Sequence, residues 1–540
     1  MTHTQFRFIY CILILAISAF VFSVPLDAWA QDTAVTPVQS DIPVAEDKAQ
    51  VDDNAADEKT ENLAIVDAFQ TGFSAFVGAV SSVLFYEVAG FPAVVLWLVI
   101  GGLFFTLRLG FVNVRYFGHG WKVAFGKYSR DDDPGEVSPF ASLSAAVSGT
   151  VGLGNIAGVA VAVALGGPGA VIWMMICGFL GMSTKFAEVT MGHKYRKIDE
   201  NGKISGGAFY YLSEGLAELN RPKLGKVLAF CFACLCLGGA FGGGNMFQSN
   251  QMVAAMTTNF DIFTGMDWIL ALVMAVAVGI VLIGGVKRIA QVAEAIVPTM
   301  AVVYLLAGAT VLYVNADLLG EAVTTMFSLA FSPEAAGGGV IGAIINGFKR
   351  AAFSNEAGVG SAPIVMSATK SREPVQIGCV AILEPFIDTI VICFMTGLLI
   401  TVTGVWQETN HNGVILTSHA FGTVIDWFPK VLSVCVALFA FSTMITWSYY
   451  GERAWNYLFG HHKIGIYHVL FCTAVFFGGA MQDPENEGFR LIIDFSDLLL
   501  LSMAIPNLIG LYFLSNMVSD ELKKYSARLK NGEIQESKKV

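Results

Sequence analysis

Ser148-Gly149-Thr150-Val151-Gly152-Leu153-Gly154-Asn155 interrupts one long apolar segment, and Ser354-Asn355-Glu356-Ala357-Gly358-Val359-Gly360-Ser361 interrupts another in the second half of the chain. Each places a serine, then glycines four and six residues on, then a polar side chain. An unsatisfied backbone group in lipid costs several kcal/mol, so irregular backbone survives at membrane depth only where it lines a cavity or binds something. Two broken helices at matching positions of two halves point to the substrate site of a secondary transporter. The competing reading is that the glycines let helices pack closely.

Working outward, composition agrees. The 540 residues are 55% hydrophobic and only 14% charged, with mean hydropathy +0.62. A soluble domain carries nearer a quarter charged residues, so a polytopic membrane protein is expected. The net charge of −11 is concentrated in one tail, and no basic face with interleaved aromatics calls for nucleic acid. The nine cysteines all lie in apolar stretches. Cys231, Cys234 and Cys236 lack a second ligand pair or a nearby histidine, and read as small buried hydrophobes rather than a metal motif.

Residues 1–30 read as a signal peptide: His3 and Arg7 precede an apolar run from Phe8 to Val24, and Ala28-Trp29-Ala30 forms an A-x-A site before Gln31. Residues 31–61 read as an acidic, disordered exported tail, and 62–90 as an amphipathic surface helix. At about 20 apolar residues per span, eleven spans follow in a transporter domain over 91–516. The first is 91–107. Five form a repeat over about 139–315 (140–166, 168–191, 226–254, 267–286, 290–314). Five more form a repeat over about 336–516 (338–368, 375–403, 430–450, 464–481, 491–516). Residues 517–540 are a basic tail.

Charge orients this scheme. With the N-terminus outside, the inner loops take the cations from Arg108 to Arg130 and from Lys194 to Lys223. They also take Lys287, Arg288, Lys370, Arg372, Arg453 and those of the tail. The outer loops near 255–266, 316–335, 404–428 and 482–490 hold only Arg490, which is the positive-inside pattern. Five is odd, so the two five-helix halves start with opposite orientation. That makes an inverted repeat with its site near the midplane.

A broken helix exposes N–H groups that suit a carboxylate and C=O groups that suit a cation. Gly152 and Gly154 allow a ligand to reach the backbone, and Thr150 and Asn155 add neutral polar groups. Gln248 can meet an amine or a carboxylate, or simply bond helix to helix. Thr443 and Trp447, four apart, share a face, as do Ser442 and Thr446, whose hydroxyls suit a hard cation. Trp447 would cap a pocket and limit substrate size. Against this, Ser and Thr can bond back along their own helix, and Trp can anchor at a membrane interface. Acids inside spans include Glu188, Glu294, Glu356, Glu384 and Asp388, and intramembrane acids are functional by default. Glu188 could pair with Lys185. Glu356, in the second break, is the candidate for ion coupling or gating, unless it pairs locally with Lys349 or Arg350.

Gly149-Thr150-Val151-Gly152-Leu153-Gly154-Asn155-Ile156-Ala157-Gly158-Val159-Ala160, Gly166-Gly167-Pro168-Gly169-Ala170, Met182-Ser183-Thr184-Lys185-Phe186 and Phe353-Ser354-Asn355-Glu356-Ala357-Gly358 resemble the alanine/glycine:cation symporter family, the sodium:alanine symporters. The resemblance covers roughly 63–516. It implies a leucine-transporter-like, all-α membrane fold of two inverted five-helix repeats, here with one extra N-terminal helix. It also implies Na⁺-coupled uptake of alanine or glycine. It selects Thr150, Gly152, Gly154, Asn155, Gln248, Thr443 and Trp447 for the substrate, with Ser354 and Asn355 from the second break. The Na⁺ ligands on this reading are Ser442, Thr446, Val147 and Thr150. Leu153 departs from the family, which often has Thr there. No organic cofactor or obligate protein partner is expected, and the setting is a bacterial inner membrane. The rival readings are H⁺ coupling on the same fold and an ion channel, though no filter or charged ring appears. No H-E-x-x-H or G-x-S-x-G motif points to an enzyme.

Overall fold

The computed structural model describes residues 86–536 apart from 89–90, 131, 201, 333–338, 409–412, 461–462 and 483–486. The expected signal peptide, acidic tail and most of the amphipathic helix lie outside the described residues. At the end of that last segment, Glu87–Val88 pairs antiparallel with Phe91–Pro92.

The described chain is almost entirely helical, as a lipid solvent requires of a backbone that must satisfy itself. Among the described residues, six helices are long and apolar enough to cross a membrane, and Pro139–Thr150 with Gly154–Gly166 adds a bent pair. Ala93–Arg108, Asp267–Leu282 and Ile464–Ala480 are shorter apolar helices. Six helices carry the site. We label them α1 (Pro139–Thr150), α2 (Gly169–Lys194), α3 (Phe247–Asn259), α4 (Gly339–Asn355), α5 (Phe428–Phe459) and α6 (Ala504–Lys530). α4 packs on α2, and α5 packs on α3 and α1, so both breaks face a common interior.

Several expected loops carry structure. The stretch expected outside near 316–335 contains the helix Leu319–Phe331, and 404–428 contains Gly413–Gly422. Thr417 of the latter donates to Ile156 O at 3.0 Å, against the first break. The basic tail is no free tail: α6 runs unbroken to Lys530. Its Arg528 pairs with Glu373 at 2.9 Å, its Glu521 with Lys194 at 2.7 Å, and Tyr525 meets His119 at 2.7 Å. Lys and Arg in a last helical turn also complement the helix dipole.

Candidate functional site

The first break begins where Val151 turns extended at the end of α1 (φ −74°, ψ 95°). Helix resumes through a wide π-type turn, Gly154–Gly158, and the two halves meet at 51°. Side chains satisfy the freed backbone. Gly152 N–H donates to Asn155 Oδ1 at 2.9 Å, and Leu153 N–H to Gln248 Oε1 at 3.3 Å. Gln248 Nε2 donates to Gly243 O at 2.9 Å, which fixes its amide with the oxygen aimed at the break.

Gly152 is crowded. A Cβ there would lie 2.4 Å from Thr443 Oγ1 and 3.2 Å from Gln248 Oε1. One at Gly154 would lie 3.2 Å from Ser354 Cα. So the first break touches α3, α5 and the second break at once, bringing Gly152, Gly154, Gln248, Thr443 and Ser354 together.

Asp388 joins the breaks. It is fully buried on a π-type segment, Phe386–Cys393. Asn155 Nδ2 donates to its Oδ1 at 2.7 Å, Ser354 Oγ to its Oδ2 at 2.9 Å, and Thr389 Oγ1 to its Oδ2 at 2.7 Å. Asn355 Nδ2 donates to Thr389 at 2.9 Å, while its Oδ1 caps Ala357 N–H at 3.0 Å. Each break's asparagine thus caps its own backbone and reaches toward the Asp388–Thr389 pair. An acid in an apolar span was the sequence signal for Asp388; its partners were invisible there.

Of the four expected cation ligands, Ser442 and Thr446 meet Ser148, to which the sequence assigns no role, while Val147 and Thr150 bond each other along α1. Ser148 Oγ donates to Ser442 O at 2.8 Å. Thr446 Oγ1 donates to Ser148 Oγ at 3.1 Å, and Thr443 Oγ1 to Ser148 O at 3.1 Å. Ser442 Oγ bonds back to Phe439 O at 3.0 Å. Thr150 Oγ1 bonds back to Val147 O at 3.3 Å. All of these residues are buried; the Ser148 contacts bridge α1 and α5, whereas the Ser442 and Thr150 hydroxyls bond back along their own helices.

The second break holds Glu356 in the left-handed region (φ 53°), followed by Gly358 (φ 92°) and Gly360 (φ 88°). A non-glycine residue there costs about 1–3 kcal/mol and persists only where its surroundings over-determine it. Here Trp447 Nε1 donates to Glu356 Oε1 at 3.0 Å, and Ser361 Oγ donates to Oε2. The indole is seated on Gly244, where a Cβ would fall 2.2 Å from Trp447 Cγ, and lies edge-on to Tyr450.

Three local pairings that the sequence offered as alternatives do not form. Lys185 bonds Glu384 at 2.8 Å, not Glu188. Lys349 and Arg350 pair with Asp497, not Glu356. Sequence spacing proposed near neighbours, but each cation's side chain leaves its own helix for an acid on another. Glu294 is exposed on its helix and takes no part.

With that geometry in view, residues 70–539 match the model of a family described as the sodium:alanine symporter family. The chain is 40% identical over 445 residues to the sodium/alanine symporter AgcS of Methanococcus maripaludis, covering 82% of this chain and 95% of the relative. It is 33% identical over 436 residues to the probable sodium/glutamine symporter GlnT of Bacillus subtilis, covering 80% and 87%. Among solved structures, that of MhsT in complex with L-phenylalanine is similar in fold. Its TM-score is 0.51 at 15% identity, over 71% of this chain and 98% of that one.

Proposed function

Because the chain belongs to the sodium:alanine symporter family, we propose that it carries alanine or glycine into the cell with Na⁺, across a bacterial inner membrane. One observation carries the reading. The N–H of Leu153, at the start of the resumed helix, is held by the Gln248 carbonyl, beside Gly152 and Thr443.

A helix start favours an anion through its free N–H groups and its dipole. A substrate carboxylate would displace Gln248 Oε1 from Leu153 N–H and Asn155 Oδ1 from Gly152 N–H and take both groups. Gln248 and Thr443 would then turn to the substrate. Thr150, Asn155, Ser354 and Asn355 supply the remaining polar wall. Space is short where a Cβ would stand on Gly152 and Gly154, which suits a side chain no larger than a methyl. Trp447, one turn from Thr443 and held fixed, closes the wall.

The Na⁺ seat is the cluster of oxygens between α1 and α5. The Val147 and Thr150 carbonyls and the Ser442 and Thr446 hydroxyls would surround the ion once Ser148 gives way. Asp388 offers a negative partner that both breaks share, and Glu356 links the second break to α5. One Na⁺ moving inward across 100 mV yields about 2.3 kcal/mol. A tenfold gradient adds about 1.4 kcal/mol. Together they support a few-hundred-fold accumulation for one ion per substrate.

The two five-helix halves are read as inverted repeats, each opened by its break, with rocking of one against the other around the site. Counterflow of labelled alanine in liposomes, with and without Na⁺ at constant pH, tests the proposal. Counterflow indifferent to Na⁺ but responsive to pH would replace Na⁺ with H⁺.

A further inference from the structure

Beside the second break lies a buried group of charges in which the transport reading uses only Glu356. Lys185 and Glu188 are one turn apart on α2, Glu384 stands on the span 374–402, and Glu356 is in the break. All four are at most 2% exposed. Lys185 Nζ holds Glu384 Oε1 at 2.8 Å, and its charge also faces Glu356 and Glu188. Glu188 Oε1 accepts from Asn507 Nδ2 at 2.7 Å. Asn507 also donates to Gly358 O at 2.8 Å and is hydrogen-bonded by Tyr211.

The balance fails in two ways. Three carboxylates face one ammonium. And two carboxylate oxygens, Glu188 Oε2 and Glu384 Oε2, are buried with no hydrogen-bond partner. A buried polar atom without a partner is costly, and a buried unpaired charge more so. Two neighbouring carboxylates in a low-dielectric site do not both ionise; they titrate as a pair.

We infer that Glu188 and Glu384, with Lys185, form a proton-binding site that holds one proton at neutral pH on the oxygens the protein leaves unpartnered. Glu384 stays ionised against Lys185, and Glu188 is the neutral member. The proton removes one of the two excess charges and supplies the missing donor. Through Asn507 and Gly358 O the site touches the second break, so its occupancy is tied to the geometry of that break. The other titratable groups facing it are Glu356 from the break, Asp388 one turn beyond Glu384, Tyr211, and Tyr450 of α5. This inference deepens the transporter reading by adding a resident proton to it.

The test is infrared titration of the full-length protein, with Na⁺-driven alanine uptake measured in parallel. The wild type should show a protonated-carboxyl C=O band at pH 7 that is lost in Glu188→Gln. The control Glu294→Gln should leave the band in place. Since glutamine mimics the neutral acid, Glu188→Gln should melt within a few degrees of the wild type and keep its uptake. Wild-type uptake should decline at alkaline pH, and uptake by Glu188→Gln should not. The proposal is overturned by a band unchanged in both Glu188→Gln and Glu384→Gln, or by a Glu188→Gln protein that melts far below the wild type. It is overturned too if Na⁺ at constant pH abolishes the band, which would make the occupant a metal cation. If the band behaves as expected while uptake ignores Na⁺, the proton site stands and the Na⁺ reading falls.

Discussion

Trp447 Nε1 donates to Glu356 Oε1 at 3.0 Å, binding the middle of α5 to a left-handed residue in the second break. The bond joins two stretches that the sequence presents 91 positions apart. It gives a strained backbone the outside support it needs.

Trp447→Phe keeps an aromatic ring on Gly244 while removing the N–H and part of the indole. A buried acceptor left unsatisfied costs about 1–3 kcal/mol. The variant should therefore melt at a lower temperature and transport alanine slowly, while retaining its place in the membrane. Thermal unfolding in detergent beside liposome uptake decides this. A variant equal to the wild type in both would show that the hydrogen bond does not hold the turn.

Gly154→Val should nearly abolish transport with insertion intact. A Cβ there already lies 3.2 Å from Ser354 Cα, and a branched side chain adds bulk that the second break cannot yield. Gly152→Ala should do the same through its 2.4 Å clash with Thr443 Oγ1. Adding Thr443→Ala should restore stability and not uptake. Normal uptake by Gly154→Val would reduce the first break to a packing device.

Thr446→Val deletes one hydroxyl between α1 and α5 at nearly constant shape. Half-saturation by Na⁺ should rise about tenfold, equivalent to about 1.4 kcal/mol. The order of preference among neutral amino acids should not change. Uptake measured across a Na⁺ series at fixed alanine checks both. An unaltered Na⁺ dependence would remove the Ser442–Thr446 cluster as the ion seat.

His119, in the segment that receives α6, is held at about 4, below its ordinary 6.5, by burial first and then by the charge of Lys122. The unfolded segment therefore binds a proton at higher pH than the folded one. Stability from this group is complete above about 6.5 and is lost as pH falls toward 4. Hydrogen exchange in the last turns of α6 should quicken over that window. His119→Gln, which keeps a partner for Tyr525, should flatten the response. Equal acid sensitivity in the two proteins would contradict it.

What the sequence determined by itself follows from local rules. Lipid forbids unsatisfied backbone, so glycine-rich breaks in apolar runs stand out. Spacing then puts Thr443 with Trp447 on one helix face, and the motif stretches carry the family. Such signals are written within one segment. What only the tertiary structure decided is partnership between segments. Nothing near Asp388 in sequence announces that Asn155 and Ser354 will meet it. Lys185 reaches Glu384 rather than Glu188, and Trp447 serves Glu356. The helices Leu319–Phe331 and Gly413–Gly422 are too short to register as spans in the sequence. A buried charge takes whichever partner packing brings within hydrogen-bond reach. Packing joins residues hundreds of positions apart, which no local pattern encodes.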